Sequence, residues 1–393
     1  MVSLRDKAAV VGIGETEYSM KPDRDAKELI SEAIYKALDD AKLTTNDIDG
    51  IVTESSWLPH ILNPYEMSYN MGIHPDYVDH IGSSGNGNVA VFHLAAMAIA
   101  TGRAKTVLTY YSNAYRSTHH RGYERKDLTE GTKDTFEVPY GGSVDPNIDF
   151  ALIARRYMYE CGLTEEQLSR ALGTIAVDHR RKSILNGKGV LKDPLTLEDY
   201  LNSPMVADPL RLADYCRWND GACAWIVTSA KRAKDFPNVP VYVTGLGYSS
   251  QPEGQGDYFV QGKETYFYKP HMAVALKRAL KMAGISLNDL DFAQVYDAYT
   301  IMLLLFLESL GFCKKGEGPA FVESGAIGLN GSMPINTHGG HLSHSYINMA
   351  SHVVEAIKQL RGDAGPGQIK NAKFGMFDGG SSNFEYVTIL RRD

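Results

Sequence analysis

DAKELISEAIYKALDDAKLTTNDIDGIV, residues 25–52, places apolar side chains at helical spacing, turns through polar residues and ends in a short apolar strand. The stretch HMAVALKRALKMAGISLNDLDFAQVY, residues 271–296, repeats this order at a constant offset of 242 residues. The matched pairs are Ala33 and Ala275, Ala37 and Ala279, Leu38 and Leu280, Ala41 and Ala283, Asn46 and Asn288, Asp47 and Asp289, and Asp49 and Asp291. Similar helix–turn–strand units also arise independently in α/β proteins. Because the apolar period and the turn residues agree together here, we interpret the stretches as copies of one duplicated unit.

The segments before the two copies also correspond. KAAVVGIGETEY at 7–18 and PVYVTGLGYSS at 240–250 both predict a buried strand interrupted by Gly-x-Gly. A Gly-x-Gly after a strand occurs in dinucleotide-binding proteins, but the third glycine of that motif is missing after Gly14, so no nucleotide site is predicted. The sequence therefore predicts an α/β protein of two related halves, residues 1–237 and 238–393.

The first half carries an expected insertion at about 112–215, which is rich in tyrosine, arginine and histidine. Residues 118–146 lack clear periodicity, which is typical of a long loop over a site. We expect helices at 148–161, 164–185 and 196–202 within the insertion.

Composition excludes several classes of protein. The chain has 393 residues, a net charge of −7, 44% hydrophobic and 22% charged residues, which is ordinary for a globular protein and gives no general attraction for nucleic acid. The N-terminal apolar run is too short for the apolar region of a signal peptide, and no later run reaches the ~18 apolar residues that a membrane span needs. The four cysteines form no CxxC pair, so neither a disulfide framework nor a zinc site is predicted. We expect a cytoplasmic protein with reduced thiols.

Five segments together resemble the thiolase superfamily, in its sterol-carrier/lipid-transfer-protein branch, over essentially the whole chain. They are AVVGIGETEY at 9–18, HLAAMAIATGRA at 93–104, DPLRLADYCRWNDGACAWIVTS at 208–229, VYDAYT at 295–300 and GSMPINTHGGHLSHSY at 331–346. The resemblance implies a thiolase-like five-layer αβαβα fold with two pseudo-symmetric halves.

The cysteine of thiolase chemistry is missing from this sequence. Thiolases accept an acyl group on a cysteine at the N-terminus of a buried helix, where the helix favours the thiolate. Laid on that helix, the cysteine position falls on Gly85 of GSSGNGN, and no cysteine precedes Cys161. The resemblance implies that Ser83, Ser84, Gly85 and Asn86 contact the substrate. The alternative is a glycine-rich turn whose N–H groups hold a polar group.

Tyrosines occupy two other positions of the family's active site. Tyr346 stands where the family has the histidine that activates the cysteine, and Tyr296 stands where it has an Asn or His that helps to hold an oxyanion. These replacements resemble the lipid-transfer-protein-like aldolases of steroid side-chain degradation, which implies retro-aldol cleavage of a β-hydroxyacyl-CoA to a ketone and a short acyl-CoA. We expect Tyr296 and Tyr346 to exchange protons with the substrate. Packed tyrosines with satisfied hydroxyls are the alternative.

Neighbouring residues complete the predicted site. His338 and His344 are candidates to tune a phenol or to donate to the thioester oxygen, although histidines beside a GG turn also simply cap loops. Backbone N–H groups near the substrate are expected from Gly339, Gly340, Gly379 and Gly380. Asp297 is expected to be structural, accepting a loop N–H.

Two other functions stay open at this point. One is an acyltransferase or condensing enzyme that works without an acyl-cysteine, and the other is an inactive thiolase-like subunit that binds acyl-CoA. The resemblance further implies a homodimer and a small OB-fold partner, often with a zinc ribbon, in a heterotetramer. No metal and no cofactor are expected in this chain, apart from the coenzyme A of the substrate.

Overall fold

The computed structural model describes residues 3–54, 63–81, 87–120, 146–250, 270–380 and 384–393. In the first half the strands are β1 (Ala8–Glu15), β2 (Gly50–Glu54), β3 (Tyr77–Ile81), β4 (Thr106–Ala114), β5 (Met205–Ala207), β6 (Leu210–Arg211) and β7 (Asp220–Ser229). The helices there are α1 (Ala26–Ala41), α2 (Pro64–Met71), α3 (Gly87–Ala100), α4 (Tyr115–His120), α5 (Pro146–Cys161), α6 (Glu165–Asn186), α7 (Leu197–Asn202) and α8 (Ala230–Ala233).

The second half is shorter. Its strands are β8 (Val241–Ser250), β9 (Phe292–Gln294), β10 (Phe374–Gly380) and β11 (Phe384–Arg391). Its helices are α9 (Pro270–Ala283), α10 (Thr300–Leu310), α11 (Gly318–Glu323) and α12 (Ala350–Arg361), and a π-helical turn spans Gly340–His344.

The strand order repeats about the junction of the halves. The order is β3-β2-β4-β7-β1-β8-β11-β10-β9, and a short antiparallel pairing of β1 with β8 joins the two halves. In each half a parallel pair, β2 with β4 or β9 with β10, lies away from this junction. In the first half β3 flanks β2. At the corresponding place in the second half, beside β9, Ala293 forms an isolated parallel bridge with Ile335. The predicted correspondence of the two strand openings and of the two copies is confirmed.

The Gly-x-Gly of each opening strand has a packing role. A methyl group at Gly12 would lie 2.5 Å from the carbonyl oxygen of Ala37, and one at Gly245 would lie 2.5 Å from that of Ala279. Both distances are far below van der Waals contact, so glycine allows α1 to pack on β1 and α9 to pack on β8. Ala37 and Ala279 are themselves one of the matched pairs.

The turns of the two copies use the same hydrogen bonds. The backbone N–H and hydroxyl of Thr44 each donate to Asp47 Oδ2 at 2.8 Å. Those of Ser286 donate to Asp289 Oδ2 at 2.8 and 2.7 Å. Each pair closes a short 3₁₀ turn that directs the chain from helix to strand.

The layers follow from which helix each strand contacts. Helix α1 covers one side of β1, β4 and β7, while α9 covers β8 and β11. Helices α3 and α12 lie between, in contact with strands of both halves, and bury most of their residues. This is the expected αβαβα arrangement of a thiolase-like fold.

The insertion contains the three expected helices, as α5, α6 and α7. The β5–β6 hairpin that follows them was not predicted. Residues 121–145 of the expected loop lie outside the described residues. None of the four cysteines forms a disulfide. Among the described helices, none has the length and hydropathy that crossing a bilayer requires.

Candidate active site

The structure brings Tyr296 and Tyr346 together, with their side chains hydrogen-bonded. Tyr296 follows β9, and its backbone N–H donates to Asp378 Oδ1 at 2.9 Å. Tyr346 follows the π-helical turn, where its N–H donates to Asn219 Oδ1 at 2.6 Å and its carbonyl accepts from Asn113 Nδ2 at 2.8 Å. The backbone on both sides of the tyrosine pair is therefore fixed by buried polar side chains.

Aromatic rings surround the pair. The His341 ring packs edge-on against both tyrosines, with centroids 5.0 Å from Tyr296 and 5.2 Å from Tyr346. Tyr115 stacks on Tyr346 at 6.1 Å and on Trp218 at 5.5 Å. Burial, followed by the neighbouring Tyr296 and Tyr115, raises the pKa of Tyr346 well above its ordinary value. Tyr346 is therefore a neutral phenol in the resting protein.

Asp297 organises the backbone and rings below the tyrosines. Its Oδ1 accepts the backbone N–H of His341 at 2.8 Å and lies 3.1 Å from Nε2 of His352. Its Oδ2 lies 3.4 Å from Nε2 of His179. The expected structural role, accepting a loop N–H, is confirmed, and the carboxylate also contacts three buried histidines.

Asp297, His341 and His352 place one possible metal-ligand atom each within 4.8 Å of one another. Nε2 of His341 accepts the N–H of Met349 at 3.1 Å, so the proton of this ring is on Nδ1, which lies 3.3 Å from Asp297 Oδ1. We interpret the group as a buried carboxyl group surrounded by neutral histidines, with Nε2 of His352 at hydrogen-bond distance. The sequence-based expectation of no metal stays a prediction.

His338 and His344 lie in a histidine cluster beside the tyrosines. Their rings are 4.6 Å apart, and His338 is also 4.6 Å from His352, which contacts His341. His344 Nδ1 lies 3.0 Å from the hydroxyl of Ser345. Burial lowers the pKa of His344 to about 3 and that of His338 well below its usual range. Both rings are therefore neutral, and their predicted catalytic role stays a prediction.

The glycines of the predicted site differ in what their backbone does. Gly339, at a φ of +104°, donates its N–H to the carbonyl of Asn336 at 2.8 Å. A side chain at Gly340 would collide with the carboxylate of Asp297. Gly379 and Gly380 belong to β10 and pair with β11. The predicted substrate-contacting residues Ser83, Ser84, Gly85 and Asn86 lie outside the described residues.

Several polar residues of this region were not predicted from the sequence. Asp378 is a neighbour of the buried Glu385, and burial raises the pKa of Asp378 to about 7 although the Glu385 side chain and the Tyr296 N–H lower it. Cys216 is a close neighbour of Tyr346, and burial raises the pKa of its thiol well above the usual value. For the histidine cluster, the sequence has one local signal, the run HGGHLSH with histidines three residues apart.

Comparisons with known proteins identify the family of this chain. Residues 256–392 match the family described as thiolase C-terminal domain-like. A 17-hydroxy-3-oxo-4-pregnene-20-carboxyl-CoA lyase of Mycobacterium tuberculosis is 35% identical over 91% of this chain and 92% of its own length. The chain belongs to the lipid-transfer-protein-like aldolase branch of the thiolase superfamily.

Two further relatives of this thiolase-like aldolase support the same placement. A steroid side-chain-cleaving aldolase of Thermomonospora curvata is 32% identical over 94% of this chain and 95% of its own length. The solved structure of an Ltp2–ChsH2(DUF35) aldolase superposes with a TM-score of 0.90 at 31% identity, covering 100% of this chain and 99% of that one.

Proposed function

We propose that this chain is a carbon–carbon lyase that cleaves a β-hydroxyacyl-CoA by a retro-aldol reaction to a ketone and a short acyl-CoA. The observation that carries the proposal is the hydrogen-bonded pair of Tyr296 and Tyr346, which stand at two positions of the family's thiol chemistry. A retro-aldol step needs a base, an acid and no covalent nucleophile.

The tyrosine pair can perform both proton transfers. The proton of the β-hydroxyl passes to the oxygen of one tyrosine as that tyrosine passes its own proton along the hydrogen bond to the other, while the bond between the α and β carbons breaks and leaves a ketone and a thioester enolate. The second tyrosine delivers its original proton to the α carbon, so both side chains end as neutral phenols. Tyr346 fits the acid, because its raised pKa keeps it protonated.

An acyl-cysteine mechanism is disfavoured by Cys216, the cysteine beside this pair. Burial, followed by the charge of Asp297, raises the pKa of its thiol well above the usual value. The thiolate, which is the reactive nucleophile, is therefore scarce at neutral pH.

The relatives suggest the class of substrate. One is named for a hydroxylated steroid carboxyl-CoA and another for cleaving steroid side chains. We propose a steroid side chain, or a similarly branched acyl group, carried as a β-hydroxyacyl-CoA. The proposal places the enzyme in the cytoplasm, as the composition predicts.

We also propose an assembly of two copies of this chain with a small OB-fold protein, often one with a zinc ribbon, in a heterotetramer. Support comes from the solved neighbour, whose name joins Ltp2 to ChsH2(DUF35). Gel filtration with light scattering after co-purification from the native cells tests this assembly. A fully active chain that runs alone would contradict the partner.

The lyase proposal is tested by a product assay with several β-hydroxyacyl-CoAs on the wild type, Tyr296→Phe and Tyr346→Phe. We expect each variant to lose roughly a hundredfold or more in kcat, as is usual when a positioned acid or base is removed. Tyr200→Phe is the matched control, because it removes a buried hydroxyl that is bonded to Asp214 elsewhere. Undiminished cleavage by both site variants would contradict the assignment.

A further inference from the structure

Glu54 occupies in the first half the position that Tyr296 occupies in the second. The two residues are separated by the same 242 positions as the other matched pairs. The sheet keeps this register, since Gly50 pairs with Val107 of β4 and Phe292 pairs with Gly375 of β10. Glu54 is the last residue of β2 and Tyr296 lies two residues beyond β9, so each stands at the carboxyl end of the corresponding parallel strand.

Glu54 is fully buried and carries an unpaired carboxyl group. Its exposed fraction is 0%, and neither Oε1 nor Oε2 has a hydrogen-bond partner among the described residues. An isolated ionised carboxylate is very costly in such a place, so the group holds its proton. Burial accordingly raises the pKa of Glu54 well above its ordinary value.

The surroundings of Glu54 connect it to the tyrosine pair. A side chain at Gly87, the first residue of α3, would collide with the Glu54 side chain. The hydroxyl of Tyr111 lies close enough to both Glu54 and Tyr346 for their charges to raise its pKa. It accepts a hydrogen bond from Nδ2 of Asn348, which lies two residues after Tyr346.

Two more buried oxygens are unpaired in the same region. Asn88 Nδ2 donates to the carbonyl of Asn348 at 2.5 Å, but Oδ1 of Asn88 and Oδ1 of Asn348 have no partner among the described residues. Buried polar groups in native proteins are almost always paired, so such a concentration of unpaired acceptors calls for a ligand. Glu54, Asn88, Tyr111 and Asn348 are called the Glu54 site below.

We propose that the Glu54 site binds an uncharged hydrogen-bond donor of the acyl-CoA, either an amide N–H of the pantetheine arm or a hydroxyl of the acyl group. The carbonyl oxygen of the Glu54 acid accepts from this donor, with the unpaired Asn oxygens as the further acceptors of the site, while the acid's own O–H remains available to a ligand oxygen. Glu54 is thus a substrate-binding residue behind Tyr346. This inference rests on the proposed function, because it takes acyl-CoA as the ligand.

Infrared difference spectroscopy tests the inference without needing turnover. The wild type, Glu54→Gln and Glu355→Gln are each mixed with coenzyme A, with an acyl-CoA that lacks the β-hydroxyl, and with a β-hydroxyacyl-CoA. Glu355 is the matched control, a buried carboxyl group that is hydrogen-bonded to Thr337 and Gln359. We expect a carboxylic-acid C=O band that shifts on ligand addition in the wild type and in Glu355→Gln and is lost in Glu54→Gln.

The ligands separate the two sources of the donor. A shift with coenzyme A alone assigns the pantetheine amide, and a shift with the β-hydroxyacyl-CoA alone assigns the acyl hydroxyl. Calorimetry on the same ligands should show Glu54→Gln binding roughly threefold to tenfold more weakly, the usual effect of one altered hydrogen bond.

A wild-type spectrum without a ligand-sensitive acid band would overturn the inference, and it needs no variant to fold. Persistence of that band in Glu54→Gln would overturn it as well. A ligand-sensitive Glu54 band in an enzyme that cleaves none of the β-hydroxyacyl-CoAs would contradict the proposed function but support this site. Cleavage of a β-hydroxyacyl-CoA without a ligand-sensitive Glu54 band would support the proposed function but contradict this site.

Discussion

The two halves of the chain have the same frame and different strand ends. In both, glycines of the opening strand admit an alanine-rich helix, and an aspartate after the turn, Asp49 or Asp291, accepts two N–H groups at the start of β4 or β10. After the parallel strand they diverge, because the first half presents the isolated acid Glu54 and the second presents Tyr296 above an organised set of histidines. Duplication therefore accounts for the position of the chemistry, and local side chains account for its kind.

The largest expected effect comes from the histidines of the second half. Burial lowers the pKa of both His344 and His352 to about 3. Between about pH 6.5 and pH 3 these two histidines are protonated in the unfolded chain but neutral in the folded chain. The free energy of unfolding therefore falls as the pH falls. By pH 4 each ring lowers the free energy of unfolding by roughly 3 kcal/mol relative to neutral pH. Urea unfolding at a series of pH values should show this loss.

His352→Gln isolates one ring, since acids with raised pKa values also titrate in the wild type. The wild type should lose about 3 kcal/mol relative to this variant between pH 7 and pH 4. A difference that does not change with pH would mean that His352 is accessible to protons in the folded chain. His74→Gln, at an exposed histidine of the first half, is the control for the substitution itself.

The next effect compares the two helix–strand contacts directly. A methyl group at Gly14 would collide with the carbonyl of Ala33, and one at Gly247 with the carbonyl of Ala275. We expect Gly14→Ala and Gly247→Ala each to lower the free energy of unfolding by about 2 kcal/mol or more, the usual range for overpacking a core. Chemical denaturation measures both.

Similar losses in Gly14→Ala and Gly247→Ala would strengthen the equivalence of the halves. Gly72→Ala is a useful contrast, because an alanine there would face open space. Only the φ of +63° would strain it. A loss of under 0.5 kcal/mol in one half alone, on the order of a neutral surface change, would show that the helix there shifts to make room.

The frame could be predicted from the sequence because its signals are local. Helical spacing and turn residues recur in each copy, and Gly-x-Gly recurs in the strand before it. The structure places all of them as expected. The meeting of Tyr296 and Tyr346 followed from the family resemblance, since the chain brings together residues that no local pattern relates. The resemblance also placed a base position and an oxyanion position on tyrosines.

The buried polar groups were beyond a sequence prediction. Glu54 ends an apolar strand, and nothing in its neighbours along the chain indicates that its carboxyl has no partner. Asp378 and Glu385 come from paired strands, and their proximity depends on the register of that pairing. His352 lies in a helix, where one histidine on a buried face is indistinguishable from core packing. Such contacts depend on tertiary distances.

The smallest expected effect tests Asp49 and Asp291, which bind the backbone at the start of β4 and β10. Asp49 accepts the N–H groups of Lys105 and Thr106 at 2.8–2.9 Å, and Asp291 accepts those of Lys373 and Phe374 at 2.7–2.8 Å. Asn keeps one acceptor oxygen but loses the charge, so Asp49→Asn and Asp291→Asn should each cost about 1 kcal/mol of unfolding free energy. Asp363→Asn, in an exposed turn, is the control for a change of charge alone. Equal losses at Asp49 and Asp291 would show that the matched contacts of the two halves contribute equally to the free energy of unfolding. A loss in only one half would show that the halves match in geometry but not in stability.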